Sequence, residues 1–386
     1  MLTLPTLLLL ACSPPTRTRV EPSFVNVAIT SGALGTEASP LAFSPDPVSY
    51  GVTVTTSDVN GADYPFNGDL NLRVRPGKFS EDPVITLVEG TWSGTVRFED
   101  SFGPTRIWAT DEGDRDEDST RTPTFAAGVS PAIYFDRPTI SEMQTSDDIE
   151  TNQLDGEFAE LRVADRRVVV IARDASGFWA SDLLDSPGSG NSVYVYTFNR
   201  PDADYAVGAQ LSMLNGIDQE YLASTQFSWP VLEAAGPSFD VPPAVELSGC
   251  EDQPMEGLEG SRVVVTGGTI PDTFVEGSPE YQDFLDYAQW PLSYGDCTVY
   301  VESGSTAQNF LPTEHVGETI GSVSGMLKQV FSSWVLVVVD EADIASGPRP
   351  PPATAAEANV KAKPQPKSTK NARSSTSRRH YYPEFK

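Results

Sequence analysis

The residues that most enzymes use for acid–base and metal chemistry are scarce in this sequence. It contains two histidines, His315 and His380, so His-based triads and histidine zinc sites are not expected. Glycine-rich nucleotide loops and nucleophile-elbow motifs are also absent from the sequence. We interpret His315 as an exposed loop residue and predict no catalytic residue and no enzymatic activity. The 54 Asp and Glu residues leave a hydrolase with a carboxylate pair as an open alternative.

Five aromatic residues offer binding chemistry instead. In the run "SVYVYTF", aromatic residues alternate with valines, so in a strand one set should face the barrel core and the other should face outward or pack on a neighbouring domain. Together with the preceding Phe-Trp pair they are candidates for stacking on sugar rings, and packing within the protein is the alternative. These candidates are Phe178, Trp179, Tyr194, Tyr196 and Phe198.

The cysteines indicate an exported protein. Residues 1–11, "MLTLPTLLLLA", resemble a bacterial lipoprotein signal peptide, in which cleavage leaves a lipid on Cys12. A disordered apolar N-terminus is the alternative. Cys250 and Cys297 are the remaining pair and neither belongs to a C-x-x-C motif, so we predict a disulfide between them, with two buried free thiols as the alternative. The expected location is the bacterial cell envelope, at the outer membrane or cell surface, with membrane attachment through the lipid.

Charge divides the chain into two unlike parts. The whole sequence carries a formal charge of −28, but residues 346–386 carry +7 and residues 1–345 carry −35. The basic tail lacks apolar periodicity, so we predict that it is disordered. It could contact a polyanion; a solvated tail, or an error in the assigned C-terminus, is the alternative. The acidic domains are not expected to bind nucleic acid, because phosphate contacts need cations.

An acidic insert, "DEGDRDEDST" at residues 111–120, suggests a calcium loop because three of its aspartates alternate. A helix-loop-helix calcium site would need glycine at its sixth position and glutamate at its twelfth, where this sequence has Ser119 and Phe125. We therefore predict a solvated hairpin loop and no metal site. Loose Ca²⁺ binding at acidic loops is the alternative, and no other cofactor is expected.

Strands should position almost all of these residues. Residues 23–141 contain short alternating runs, such as "YGVTVTTSDVNG" and "GDLNLRVRPG", that end at turn signals. The pattern predicts an antiparallel β-sandwich and resembles bacterial immunoglobulin-like modules. Residues 12–22 before it and 142–158 after it are predicted linkers.

The rest of the acidic part contains an internal repeat. "RRVVVIARDASGF" matches "SRVVVTGGTIPDTF", "GNSVYVY" matches "GDCTVYV", and each half has two glycines spaced by eight residues. These glycines are Gly208 and Gly216 in the first half, and Gly317 and Gly325 in the second. Each half is therefore predicted to be a barrel of about five strands that bends at its glycines. We place barrel 1 at 159–235, a linker at 236–257 and barrel 2 at 258–345.

The second half also contains a predicted helix, "SPEYQDFLDYAQWP", with serine as N-cap, proline at the first helical position and apolar residues on one face. It should cap an open end of barrel 2. The predicted fold class is all-β: a β-sandwich followed by two OB-like β-barrels, one with an inserted helix, and a disordered C-terminal tail.

The stretch "VVVIARDASGFWASDLLDSPGSGNSVYVYTF" and its continuation "VGAQLSMLNGIDQEYLASTQFSWPVLE" resemble the OB-fold domain that accompanies secreted bacterial nucleases. The whole domain order resembles uncharacterised myxobacterial-type lipoproteins. The resemblance implies a barrel and an exported setting; it carries over no catalytic residue, because the nuclease motifs belong to a separate domain.

We therefore predict a lipid-anchored envelope protein with a binding, adhesive or structural role and an envelope glycan or protein as partner. The alternative is a non-catalytic accessory subunit, or a degenerate relative, of an extracellular nuclease or glycan hydrolase.

Overall fold

Strands make up most of the regular structure of this chain, which confirms the predicted all-β class. The computed structural model describes residues 23–81, 84–111, 125–144, 152–234, 236, 238–249, 255–304, 306–307 and 309–345. All of them belong to one compact unit. Among these residues, neither α-helix has the length and apolar character needed to cross a membrane.

The N-terminal part is a β-sandwich. Its strands are β1 (Ser23–Ser31), β2 (Val48–Ser57), β3 (Gly68–Arg75), β4 (Lys78–Phe79), β5 (Val84–Leu87), β6 (Thr91–Glu99), β7 (Gly103–Thr110), β8 (Phe125–Ala126), β9 (Gly128–Val129) and β10 (Ile133–Phe135). One sheet has the order β4-β6-β2-β1-β8, and the other has the order β10-β7-β3-β5 with β9 paired to β7. Alternate residues of each strand enter the core between the sheets, as Ile107 and Ala109 do in β7.

Barrel 1 follows a short helix, α1 (Ile140–Gln144). Its strands are β11 (Phe158–Glu160), β12 (Val168–Arg173), β13 (Gly177–Asp182), β14 (Ser192–Tyr196), β15 (Leu211–Glu220) and β16 (Thr225–Ala234). The sheet order is β11-β15-β16-β14-β13-β12, with β14 parallel to β16. The barrel closes where Val170 N donates to Ala209 O at 2.9 Å and Gly208 N donates to Val170 O at 2.8 Å. Strands β12–β16 thus form the five-stranded OB-type barrel.

Barrel 2 repeats this topology. Its elements are β17 (Val245–Glu246), β18 (Arg262–Thr266), α2 (Pro279–Tyr287), β19 (Gln289–Tyr294), β20 (Cys297–Glu302), β21 (Ser322–Val330), β22 (Ser333–Val337) and β23 (Ile344–Ala345). The order is β17-β18-β21-β22-β20-β19, with β20 parallel to β22. Thr269 and Ser293 exchange backbone hydrogen bonds of 2.7 and 2.9 Å and close the barrel.

The repeated glycines occupy equivalent places in the two barrels. Gly208 and Gly317 both have positive φ, at 91° and 77°, a conformation that suits glycine because it lacks a Cβ. Gly216 and Gly325 lie where the fourth strand of each barrel approaches the fifth. A Cβ on Gly216 would lie 3.0 Å from Ser228 O, and one on Gly325 would lie 2.6 Å from a backbone oxygen of β22.

The predicted helix α2 lies between the first and second strands of barrel 2. The Ser278 side chain accepts a hydrogen bond from Tyr281 N at 3.1 Å, with Pro279 at the first helical position. Tyr281 and Phe284 pack against buried Phe274 at ring distances of 5.9 and 5.8 Å. The helix therefore covers part of the barrel core, as its sequence pattern predicts.

A small apolar core joins the two barrels. It consists of Ile171, Ala172 and Trp179 from the outer face of barrel 1, packed with Met326 and Val337 from the outer face of barrel 2. The outer surface of β12 and β13 is consequently covered by β21 and β22.

Candidate functional site

An open groove lies on barrel 1 beside the end of β14. It has a volume of about 540 Å³ and is formed by the loop 197–205 and by residues 229–232 of β16. Its apolar lining residues are Phe198, Pro201, Trp229, Pro230 and Leu232. Its polar lining residues are Thr197, Asn199, Arg200, Asp202 and Tyr205. This mixture of apolar and hydrogen-bonding groups is typical of small-molecule and glycan sites.

Three aromatic rings form a continuous row, of which Phe198 and Trp229 line the groove. The ring centroids of Tyr196 and Phe198 are 4.5 Å apart, and those of Phe198 and Trp229 are also 4.5 Å apart. Phe198 is 41% exposed and Trp229 is 67% exposed. Large aromatic side chains usually bury most of their surface, so an exposed pair in mutual contact marks a candidate interaction site.

A β-bulge turns Trp229 outward. Asn215 pairs with Val231 and Ile217 pairs with Ser228, so Trp229 and Pro230 are inserted opposite a single residue of β15, Gly216. Strand β16 approaches Gly216 closely, so that a Cβ there would lie 3.0 Å from Ser228 O and Phe227 Cδ1. Bulges bend a strand and re-aim its side chains, which is the effect seen here.

Both groove aromatics have left-handed backbones. The φ angle is 64° at Phe198 and 51° at Trp229, a region that bulky L-residues rarely adopt. Such conformations cost free energy, persist only where surrounding contacts enforce them, and cluster at ligand-binding sites. The contacts around Phe198 and Trp229 therefore hold both residues in an unfavourable backbone conformation.

Hydrogen bonds to neighbouring residues of barrel 1 hold the loop that carries Phe198 in place. The Arg173 guanidinium donates to Pro201 O and, at 3.1 Å, to Asp202 O. Thr197 Oγ1 donates to Ser176 O at 3.0 Å. These contacts fix both ends of the segment 197–202, so this side of the groove is preformed.

Tyr205 connects the groove to the barrel core. Its ring stacks on buried Phe178 at 5.6 Å, and its hydroxyl donates to Leu232 O at 3.2 Å. Burial, followed by nearby carboxylates such as Asp202, raises the pKa of Tyr205. The phenol therefore stays neutral at physiological pH and remains a hydrogen-bonding group at the base of the groove.

The aromatic residues proposed from the sequence divide into two groups. Phe198 lines the groove, and Tyr196 packs on Phe198 beside it. Phe178 is fully buried in the core of barrel 1, and Trp179 is 3% exposed in the joint between the barrels. Neither can stack on a ligand, which corrects the stacking role proposed for both; they take the packing role that was its alternative.

Tyr194 also serves the structure rather than the groove. It packs on Trp179 at 4.7 Å, and its hydroxyl donates to Asp174, with Oδ2 at 3.0 Å. Burial raises the pKa of this phenol, with a further contribution from the Asp174 carboxylate. Tyr194, too, does not reach the groove.

In OB-folds the outer face of the second and third strands often binds ligands. In this protein barrel 2 covers much of that face of barrel 1.

Sequence reasoning missed Trp229 and Tyr205. Trp229 lies in "QFSWPVLE", where the Trp-Pro step was a usable signal, because proline within a strand often marks a bulge. Tyr205 lies in the polar loop "RPDADYA", and nothing in that loop's local pattern indicates that it folds back onto Phe178.

The other predicted sites fall largely outside the described residues. Cys12, Cys250, the tail 346–386 and most of the acidic insert lie there. Cys297 begins β20 and is buried. A Cβ placed on Gly249 would lie 3.8 Å from Asp296 Oδ1, so the residues that precede Cys250 and Cys297 are neighbours. That proximity supports the disulfide, which stays a prediction.

Among the residues that the structure describes, His315 and the acidic side chains do not form a metal-binding cluster. His315 Nδ1 lies 2.9 Å from Glu318 Oε2, and its ring stacks on Phe310 at 4.8 Å. Within the described part of the chain, no three His, Cys, Asp or Glu residues are arranged to hold a metal ion.

A group of carboxyl side chains lies at the joint between the barrels. Glu259 Oε2 accepts from Thr225 N at 3.1 Å, across from barrel 2 to barrel 1. Burial raises the pKa of Glu259 to about 8 and that of Glu256 to about 7. The pKa values of Asp218 and Glu220 are also raised, again mainly by burial. At neutral pH the Glu259 carboxyl is therefore mostly protonated, whereas an exposed glutamate would be ionised.

Comparisons with known proteins add little to this description. No family model matches the chain, and no curated protein matches it. Among solved structures, it is similar to a crystal structure of the CARDB domain of a Pyrococcus furiosus protein in complex with di-metal ions. The identity is 16%, the match covers 30% of this chain and 94% of that chain, and the TM-score is 0.19. A likeness at this level supports no conclusion about function.

Proposed function

We propose that this chain is a carbohydrate-binding protein of the cell envelope and that its ligand lies in the groove of barrel 1. The observation that carries the proposal is the exposed Phe198–Trp229 pair, whose rings are 4.5 Å apart and whose backbones are both left-handed. An arrangement that exposes apolar rings and strains their backbone is unfavourable in the free protein, and a ligand that covers the rings would offset that cost.

A sugar chain fits the chemistry of this groove. The faces of pyranose rings are apolar and their edges carry hydroxyl groups, so an aromatic platform beside hydrogen-bonding side chains complements both. Asn199, Arg200 and Asp202 provide such side chains next to the rings. The openness of the groove at the surface suits a segment of a polymer rather than an enclosed small molecule.

Nucleic acid fits the groove less well. Ten Asp and Glu face five Arg and no Lys between Glu160 and Glu233. Single-stranded nucleic acid also stacks on aromatic rings, but its affinity depends on a positive surface that follows the phosphates. Arg200 is the only cationic side chain among the described residues that line the groove.

A binding role is proposed because the groove is built from stacking and hydrogen-bonding groups. The accessory role beside a glycan hydrolase would use the same groove, and co-purification with such an enzyme would favour it.

The adhesive role in the envelope rests on the lipoprotein-like N-terminus. It predicts that Cys12→Ala moves the protein from the membrane fraction to the soluble fraction, whereas a wild-type protein that is soluble with an intact N-terminus would contradict anchoring.

A glycan array followed by calorimetry tests the binding role. We expect the protein to select neutral oligosaccharides and Trp229→Ala to weaken their binding about fivefold or more, by analogy with the about 1–3 kcal/mol that stacking of a nucleobase on an aromatic side chain contributes. The matched control is Tyr287→Ala, which removes a ring that is equally exposed on α2 and should leave affinity unchanged. Failure to bind any array glycan, or equal affinity in Trp229→Ala, would refute the proposal.

A further inference from the structure

Strand β16 connects the joint between the barrels to the groove of barrel 1. It begins at Thr225, where barrel 2 contacts barrel 1, and continues through the bulge at Trp229 to Leu232 in the groove lining. At about 3.3 Å per residue, Thr225 and Trp229 are separated by about 13 Å along the strand. A displacement at the joint therefore reaches the aromatic pair through one short strand segment.

Glu259 of barrel 2 holds the first residue of this strand. It is 2% exposed. Its Oε2 accepts from Thr225 N at 3.1 Å, and its Oε1 accepts from Gln329 N of β21 at 3.4 Å. One buried carboxyl group thus connects the backbones of the two barrels at the point where β16 begins.

A second contact from barrel 2 holds the turn that precedes β16. Phe331 N donates to Leu222 O at 2.7 Å. The turn has positive φ at both central residues, 60° at Leu222 and 65° at Ala223, as in type I′ hairpins, which favour Asn-Gly there. Such backbones cost free energy and persist where surrounding contacts enforce them. Loss of the joint contacts would therefore let the turn relax and move the start of β16.

The surroundings of the Glu259 carboxyl are acidic. The carboxyl groups around it are Glu256 on the short helical turn that precedes it, Glu220 and Asp218 on β15, and Asp155 beside Glu220. The cations of the adjacent strands β21 and β18 pair with other carboxylates, Lys328 with Glu302 at 3.0 Å and Arg262 with Asp343 at 2.7 Å. Burial, with contributions from Glu220 and Glu256, raises the pKa of Glu259 to about 8. Ionisation of Glu259 thus places a new negative charge in a buried, acidic environment.

We propose that the joint regulates the groove of barrel 1, which binds its ligand more tightly while Glu259 is protonated than after Glu259 has ionised. When the proton passes to water, hydration of the carboxylate favours a joint in which Glu259 turns towards solvent and releases Thr225. The turn at Leu222 relaxes, β16 shifts, and the Phe198–Trp229 pair loses its arrangement. The inference rests on the proposed carbohydrate site, because it concerns the regulation of that same groove.

Thermodynamic linkage makes this coupling reciprocal. If the protonated joint favours binding, then binding favours the protonated joint. Ligand binding near pH 8 should therefore take up protons from the buffer, whereas binding near pH 5, where Glu259 is already protonated, should not take up a proton at this site.

The ligand-free protein provides the first test. In the full-length ¹⁵N-tryptophan-labelled protein, the Trp229 indole signal should move between pH 6.5 and 9 and should move less in Glu259→Gln, which cannot ionise. The matched control is Glu276→Gln, because Glu276 is an exposed residue of barrel 2; its titration should match that of wild type. A Trp229 signal that stays in place over this range, or that moves equally in Glu259→Gln, would overturn the proposed regulation.

Ligand binding provides the second test, with the neutral oligosaccharide selected on the array. We expect the wild-type affinity to fall about fivefold or more from pH 6.5 to 9, and to fall less in Glu259→Gln. Calorimetry at pH 8 in buffers of different ionisation enthalpy should show proton uptake by wild type and less uptake by the variant. Equal wild-type affinity at the two pH values would contradict the regulation while leaving the carbohydrate site intact. Absence of oligosaccharide binding at either pH would refute that site, and the titration of the free protein would still decide whether Glu259 and Trp229 are coupled.

Discussion

The two barrels share one topology and place their aromatic residues in opposite ways. In barrel 1 the loop after β14 and the bulge in β16 expose Phe198 and Trp229. In barrel 2 the corresponding loop, 303–321, carries Phe310, which is buried and packs on Trp290 at a ring distance of 5.4 Å. The same strand order thus builds a candidate ligand surface in one barrel and additional core in the other, so topology alone does not determine function.

The difference can be traced to the fifth strand. In barrel 2, β21 and β22 pair without a register shift, and Met326 lies directly opposite Val337. Both residues then pack on barrel 1. In barrel 1 the fifth strand contains the inserted Trp229 and Pro230. A regular fifth strand supports a joint between domains, whereas a bulged one presents a ring to solvent.

The largest expected effect contrasts a buried with an exposed tryptophan. Trp290 is fully buried, and its indole donates to Ser303 Oγ at 3.1 Å. Trp290→Ala should lower the free energy of unfolding by about 3–5 kcal/mol, whereas Trp229→Ala should change it by about 0.5 kcal/mol or less. Denaturant unfolding of both variants measures this contrast, and equal destabilisation would contradict the assignment of one ring to core and the other to ligand.

The dependence of the melting temperature on pH tests the buried carboxyl groups at the joint between the barrels. The carboxyl of Glu259 has a pKa of about 8, raised from an ordinary value of 4.5. Between those values the folded protein binds more protons than the unfolded chain, so the stabilisation is complete below about pH 4 and is lost as pH rises through 8. The expected loss is on the order of a few kcal/mol, seen as a melting temperature that falls from pH 5 to 9.

The charge-free variant Glu259→Gln provides the control. It should make the fall of the melting temperature between pH 5 and 9 shallower while leaving the melting temperature at pH 5 nearly unchanged; the slope that remains comes from Glu256, Asp218 and Glu220, whose pKa values are also raised. A wild-type melting temperature that is constant from pH 5 to 9, or an unaltered slope in Glu259→Gln, would show that the joint does not hold a proton on this carboxyl group.

Smaller effects are expected at the paired glycines. A Cβ at position 325 would lie 2.6 Å from Val337 O, and one at 216 would lie 3.0 Å from Ser228 O. Both Gly325→Ala and Gly216→Ala should destabilise by about 1–3 kcal/mol, with the larger loss at 325 because the overlap is greater. Glycan affinity should fall only in Gly216→Ala, which displaces the bulge that carries Trp229. Equal glycan affinity in Gly216→Ala and Gly325→Ala would show that the bulge does not contribute to glycan binding.

The sequence predicts the architecture well because its signals there are local. Alternating strands, turn residues and the capped helix Pro279–Tyr287 depend on neighbouring residues, and the all-β class is confirmed. The repeat also indicates which strands correspond, as β12 with β18 and β14 with β20.

The groove is only partly predictable because long-range contacts create it. Alternation along β14 separates tyrosines from core valines, but it cannot show that barrel 2 covers Trp179. Nor does it place Trp229 beside Phe198, since these residues are 31 positions apart and meet through a bulge opposite Gly216. Ring position here depends on pairing between strands, which a single sequence does not display.

The most direct test of the account is the indole NMR spectrum of the ¹⁵N-tryptophan-labelled protein during titration with a neutral oligosaccharide selected on the array. The chain has six tryptophans, and Trp229→Phe and Trp290→Phe identify the two resonances of interest. We expect the Trp229 indole signal to shift in a saturable way while the signal of buried Trp290 stays in place. A bound oligosaccharide that leaves the Trp229 signal unchanged would contradict the assignment of the groove on barrel 1 as the ligand site.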